Sequence, residues 1–171
     1  MKCSRTRGKK SHEHFDPQDP PRRRANKRRG RGTYANDRPP VLATVGRDSG
    51  HIRLRVVKNT QQTTLKEHVE RFTSDGTHVY TDEYDSYATI ERAHSTVCHG
   101  AREWARDDDG DGIREVHTNT CEGMWAGLRT FLRVFRGVHK CYLSGYVAMH
   151  EFRVNLKAVS ISFVAALVKL H

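Results

Sequence analysis

Long apolar runs are missing from this 171-residue chain. The longest candidate, Ala158 to Leu170, contains serines and a lysine and falls short of the roughly 20 residues needed to cross a bilayer. The opening Met1-Lys2-Cys3-Ser4-Arg5 is basic but leads into no apolar stretch, so no secretory signal is expected and the predicted location is cytoplasmic. Cysteine is sparse. Cys3, Cys98, Cys121 and Cys141 contain no C-x-x-C pair, which argues against a zinc ribbon and predicts reduced, mostly buried thiols. Cys98-His99 with His117 and Cys121 has the residue types of a zinc site, but its spacing matches no common finger. Proline is absent beyond Pro40, and no internal repeat is visible.

The charge that is present is concentrated. The chain carries a net +10. Residues 1–40 hold 13 basic against 4 acidic side chains, and residues 41–171 hold 17 against 16. All five prolines fall in the same first forty residues. The chain therefore divides into a basic, proline-punctuated arm or insertion (1–40), a nearly neutral body (41–158) and a closing apolar segment (159–171). Arg22-Arg23-Arg24 and Lys27-Arg28-Arg29-Gly30-Arg31 are dense and arginine-weighted, as suits phosphate contact with release of counterions. A merely solubilising tail is the alternative.

Val41–Val45 and the alternating Ile52, Leu54, Val56 predict two strands joined through Asp48-Ser49-Gly50. Thr64 and Glu67 have the spacing of a capping box ahead of Leu65, Val69 and Phe72, a short amphipathic helix ended by Asp75-Gly76. His78–Thr81 reads as a strand finishing at Asp82, then a brief helix through Tyr84, Tyr87 and Ile90, then a strand near Thr96–Cys98. A long helix is predicted from Thr118 or Asn119, with Cys121, Trp125, Leu128, Leu132 and Phe135 as its apolar stripe and Gly137 as its stop. Tyr142–Leu156 and Ile161–Leu170 read as two further helices. This order predicts a mixed α/β layer with a strand beside the one ending at Asp82, and ligands on such sheets gather at strand carboxyl ends.

Among the acidic residues (Asp82, Glu83, Asp85, Glu115, Glu122 and the run Asp107-Asp108-Asp109-Gly110-Asp111-Gly112), the run resembles a calcium loop. Its twelfth position is Thr118, where a bidentate glutamate is required, so an acidic surface loop is the preferred reading. Asp82 at a strand end and Glu122 one turn into a helix could meet at a divalent ion. Asn119 and Arg129 fall on nearly the same helix face as Glu122, a line of amide, carboxylate and guanidinium suited to metal and phosphate. On spacing alone, ordinary exposed side chains on an amphipathic helix remain the competing reading.

Val79-Tyr80-Thr81-Asp82-Glu83-Tyr84-Asp85-Ser86-Tyr87, followed by His117-Thr118-Asn119-Thr120-Cys121-Glu122-Gly123-Met124-Trp125-Ala126-Gly127-Leu128-Arg129, resembles the bacterial insertion-sequence transposases of the ISXO-like DDE group. His14-Phe15-Asp16-Pro17 through Pro40, Phe135–Lys140 and Tyr142-Leu143 extend the resemblance over most of residues 12–158. It implies a ribonuclease-H-like mixed sheet with flanking helices, a site using Mg²⁺ or Mn²⁺, and DNA as partner, hence association with the nucleoid. By position, Asp82 is similar to the second catalytic aspartate and Arg129 to the trailing basic residue. Glu122 is similar to the third acid, with Asn119 as the competing position. The first aspartate and its strand have no counterpart: residues 1–11 contain no acidic residue, and Asp16 and Asp19 stand among prolines. The expectation is a truncated transposase, inactive alone. A DNA-binding remnant that interferes with full-length transposase, and an interaction protein with no nucleic-acid role, are the alternatives.

The arm generates a direct expectation. The purified chain should bind duplex DNA with steep salt dependence, and alanine at Arg22–Arg24 and Lys27–Arg29 should lower the log–log salt slope by up to about 5. Fluorescence anisotropy at several salt concentrations measures this; an unchanged slope would reject arm-mediated binding.

Overall fold

The computed structural model describes residues 32–156, which form a mixed α/β fold of small sheets and three helices. β1 (Val41–Val45) and β2 (Ile52–Val56) pair antiparallel, Val41 opposite Val56 and Val45 opposite Ile52. Their loop closes through Gly46 N–H to His51 O (2.9 Å) and Gly50 N–H to Gly46 O (2.9 Å), with Gly50 at φ 61°, where a side chain would be strained. α1 (Gln62–Phe72) follows. β3 (His78–Asp82) and β4 (Ala93–Val97) pair parallel, with Asp82 opposite Val97. β5 (Ala105–Arg106) and β6 (Val116–His117) form a short antiparallel pair, and α2 (Asn119–Arg133) and α3 (Lys140–Asn155) complete the described chain. Among the described residues the strands make three separate two-stranded sheets rather than one continuous layer. No helix among them is long and apolar enough to cross a membrane. The segments carrying Cys3 and the predicted Ile161–Leu170 helix lie outside the described residues.

The hairpin is the middle layer because successive strand residues face opposite ways. Val41 packs with Leu128, Leu132, Val138, Leu143 and Val147 from α2, α3 and their connection. Leu42 turns to the other face, with Val57, Leu65 of α1, Tyr84 and Tyr87. Leu128 and Leu143 are wholly buried, and each such side chain contributes about 1.5–3 kcal/mol. α3 also covers the outer edge of β2. The Asn155 side-chain amide accepts from Ile52 N–H (2.8 Å) and donates to Ile52 O (2.9 Å), and Glu151 accepts from Leu54 N–H (2.6 Å). These side chains satisfy backbone groups that an edge strand otherwise offers to other chains.

Residues 32–40 lie against this body. Tyr34 N–H donates to Lys58 O, Val57 N–H to Pro40 O, and Lys140 Nζ reaches both Asp37 (2.8 Å) and Tyr34 O (3.1 Å).

Some local expectations need correction. The capping box does not form: α1 begins at Gln62, Thr64 Oγ1 donates to Asn59 Oδ1, and Glu67 pairs with Arg55. Glu67 has an opposite charge in reach on β2, a stronger partner than a backbone N–H already near solvent. α2 ends at Arg133, so Phe135 falls beyond its stripe, and the chain turns through Arg136 (φ 54°) into Gly137 (φ 136°). The helix expected through Ile90 is a single 3₁₀ turn, Asp85–Tyr87.

His68 of α1 is 2% exposed, and neither ring nitrogen has a hydrogen-bond partner among the described residues. Burial, reinforced by the Arg55 charge, pushes the imidazole from 6.5 down to about 4. The folded protein holds it neutral where the unfolded chain binds a proton. Its share of stability is therefore complete above about pH 6.5 and declines toward pH 4, by roughly 2–3 kcal/mol in all. Urea midpoints should fall across this window, and His68→Leu should flatten the fall; an equal slope in the variant would exclude His68 as its source.

Candidate functional site

Asp82 closes β3, and after two intervening residues the chain turns into Asp85–Tyr87. The Asp82 carboxylate is exposed and accepts a long contact from Tyr84 N–H (3.4 Å). Its neighbour Glu83 does different work. It accepts from His99 N–H (2.9 Å) and Gly100 N–H (3.0 Å), and these donors, together with its own backbone N–H, hold its carboxyl below the usual range. Glu83 thus ties the turn after β4 to the end of β3. The same turn reaches forward: His99 Nε2 lies 3.2 Å from Thr118 Oγ1, one residue before α2.

α2 carries the remaining candidates. Asn119 is its first residue, Glu122 sits in its first turn, and Arg129 lies two turns further on; all three are exposed. Between Asn119 and Glu122 the Cys121 thiol is half-buried, and it reports on the surroundings. Burial raises its pKa, the Arg47 charge opposes that rise, and the carboxylates of both Asp82 and Glu122 add to it. Burial likewise raises the Tyr87 phenol, with Asp82 and Cys121 contributing. The strand-end carboxylate and the helix carboxylate therefore act on one thiol. Neither makes an ion pair among the described residues.

Arg47, in the loop after β1, was not marked by any sequence pattern. Its guanidinium stands 3.8 Å over the Tyr80 ring of β3, donates through Nη2 to His117 O (2.7 Å), and donates through Nη1 to Glu115 O. One side chain thereby joins the hairpin, the strand that ends at Asp82 and the strand that leads into α2.

The acidic run is the loop of the β5–β6 hairpin, so no helix enters it. It brings oxygens of Asp107, Asp109 and Glu115 within 4.8 Å of one another. Asp107 accepts from Gly110 and Gly112 N–H, which hold its carboxyl below the usual range, and Glu115 accepts from Asp108 N–H (2.9 Å). The loop largely satisfies itself. It is the one group of metal-ligand side chains at such separations among the described residues, so Cys98, His99, His117 and Cys121 do not assemble a zinc site there. Cys98, Cys121 and Cys141 are free thiols, but the expected burial is not met: Cys98 and Cys121 are half-buried and Cys141, on α3, is exposed. Arg22, Arg23, Arg24, Lys27, Arg28, Arg29 and Arg31, the expected DNA contacts, lie outside the described residues.

Removing the Arg47 clamp should be costly. Arg47→Ala should lower stability by about 3 kcal/mol, through two charge-assisted hydrogen bonds and a cation–π contact. Arg47→Lys should recover only part, because a compact ammonium lacks the planar group that stacks on Tyr80 while donating from two separate nitrogens. Urea denaturation measures both; a neutral alanine variant would refute the clamp.

Comparison with known proteins follows the same lines. Residues 13–155 match the ISXO2-like transposase domain. The chain is 30% identical over 135 residues to an uncharacterized protein in the transposable element ISH50 of Halobacterium salinarum, an alignment covering 78% of this chain and 45% of that protein. It thus spans about half the length of that relative, and no solved structure matches it. With the Asp82 and Asn119–Arg129 motifs inside the matched region, the chain belongs to the ISXO2-like transposase domain family.

Proposed function

We propose that this chain is a partial DDE transposase core of ribonuclease-H-like design, which binds DNA and supplies two of three catalytic acids, Asp82 and Glu122. The observation that carries this reading is the placement of Asp82 at the end of β3 and of Glu122 in the first turn of α2, both inside the matched transposase domain and joined to one another's elements through the His99 turn. Sheet organisation supports it. β1–β2 and β3–β4 are each two-stranded, while Arg47 at the end of β1 stacks on Tyr80 of β3. A strand inserted between β1 and β3 would pair with both and give the order β2-β1-X-β3-β4. X would be the strand that bears the first aspartate in the resembling family.

Asp82 and Glu122 suit a hard divalent cation: both are oxygen donors, exposed, and free of a competing cation among the described residues. They provide two ligands, so Mg²⁺ or Mn²⁺ would be held weakly and would keep most of its waters. Bound metal supplies electrostatic stabilisation of the attacking and leaving oxygens in phosphoryl transfer. The protein's part is positional. β3 and α2 present the carboxylates, Asn119 offers an amide at the helix start, and Arg129 sets a positive charge where a DNA phosphate would run. The Arg22–Arg31 stretch would neutralise neighbouring phosphates. Loss of one preorganised electrostatic element commonly lowers rate by about 10²–10³, so the chain alone should be catalytically incompetent.

Two readouts test this. Millimolar Mn²⁺ should broaden amide resonances around 82–84 and 119–123, and Asp82→Asn or Glu122→Gln should remove that broadening; broadening confined to 107–115 would overturn the shared-cation reading. Supercoiled plasmid with Mg²⁺ or Mn²⁺ should stay uncut, and Asp82-dependent nicking would overturn the claim of incompetence.

A further inference from the structure

Between Gly123 and His150 the chain has no aspartate or glutamate, while it carries Arg129, Arg133, Arg136 and Lys140. Asp37 neutralises Lys140 (2.8 Å). Arg129 and Arg133 stand one turn apart on α2, both exposed. A tight turn then prolongs the coil past the helix end, with Phe135 N–H donating to Leu132 O (3.3 Å) and Arg136 N–H to Arg133 O (3.1 Å). Arg136, also exposed, follows one turn beyond Arg133. None of these three guanidiniums makes an ion pair or a side-chain hydrogen bond among the described residues.

Within the fold alone this row is unfavourable. Like charges one turn apart on a helix repel. Arg136 also holds φ at 54°, a conformation that glycine adopts freely and a long side chain does not. The helix dipole favours cations only in the last turn, which covers Arg133 but not Arg129. An external anion supplies the missing counter-charge, and the length of the row calls for an extended one. From Arg129 to Arg136 the coil rises by about 11 Å, close to the axial rise of three phosphates on one DNA strand, each about 3.4 Å from the next.

We propose that Arg133 and Arg136 continue from Arg129 a phosphate track for duplex DNA, leading its backbone along α2 and away from Glu122. Glu122 lies two turns before Arg129 on the same helix, so the row starts beside the candidate site and departs from it. Guanidinium forks suit phosphate oxygens, and each phosphate neutralised releases counterions. This deepens the proposed function and rests on it for the identity of the polyanion. Arg129 already belongs to that reading; Arg133 and Arg136 are the addition.

The test uses the full chain in EDTA with a fluorescein-labelled duplex, read by anisotropy at several salt concentrations. Arg133→Ala with Arg136→Ala, the arm and Arg129 being intact, should lower the log–log salt slope by about 1.8. The corresponding lysine pair should keep the slope, because the charges remain. Arg102→Ala with Arg114→Ala removes two exposed arginines that flank the acidic loop and should change the slope by less than about 0.5. Arg136→Gly separates use from structure: it should raise the urea midpoint by relieving the positive φ, yet lower the slope by about 0.9. An unchanged slope in the double alanine variant, or an equal loss in the Arg102 and Arg114 control, would overturn the track. Metal is absent from this assay. A lowered slope alongside failure of the Mn²⁺ experiment therefore removes the shared cation and leaves the track, whereas the reverse pattern removes the track alone.

Discussion

The Arg47 guanidinium is the contact on which the arrangement of the described chain depends most. The three two-stranded sheets share no backbone ladder, so side chains must set how they lie together. Arg47 leaves the first hairpin, covers the face of Tyr80 in the second sheet and binds two carbonyls at the start of the third. A planar fork with several donors suits that task, since it stacks on one partner while hydrogen-bonding in its own plane to others. Its charge also reaches Cys121, between the elements that carry Asp82 and Glu122.

Packing supplies the rest of the order. One strand, β1, serves two cores through the alternation of Val41 and Leu42, with α2 and α3 on one side and α1 on the other. The exposed edge of β2 is occupied by Asn155 and Glu151 of α3 instead of another strand. Polar side chains used this way make the helix an extension of the sheet. They give Glu151 and Asn155, one turn apart on α3, a structural task.

The candidate site combines two kinds of acidic group that composition cannot separate. Glu83 and the 107–115 loop carry carboxylates already engaged by backbone N–H groups and by Arg106. Asp82 and Glu122 are exposed and make no ion pair among the described residues, which leaves their oxygens able to accept a cation. In the same way His99 is a structural tie, bonded through its N–H to Glu83 and through its ring to Thr118.

Local pattern alone was enough for the hairpin, the strand ending at Asp82, its parallel neighbour and the start of α2, because alternation, helical periodicity and turn residues act within a few positions. The paired motifs around Asp82 and Glu122 likewise announced the family, since residue type and order survive without coordinates. The capping box failed because a charge on another element, Arg55, competed for Glu67, and no window along the chain contains that competitor. Arg47 was illegible for the same reason: an arginine in a loop has no periodicity. Sequence by itself determined β1 to β4, α1 and the start of α2, with Asp82 and Glu122 at their places, whereas the polar 99–117 stretch gave no sign of the β5–β6 pair. Only the tertiary structure decided which of those acids are engaged among the described residues, because Glu83 takes up N–H groups 16 and 17 positions away that come within its reach only once β3 and β4 lie side by side.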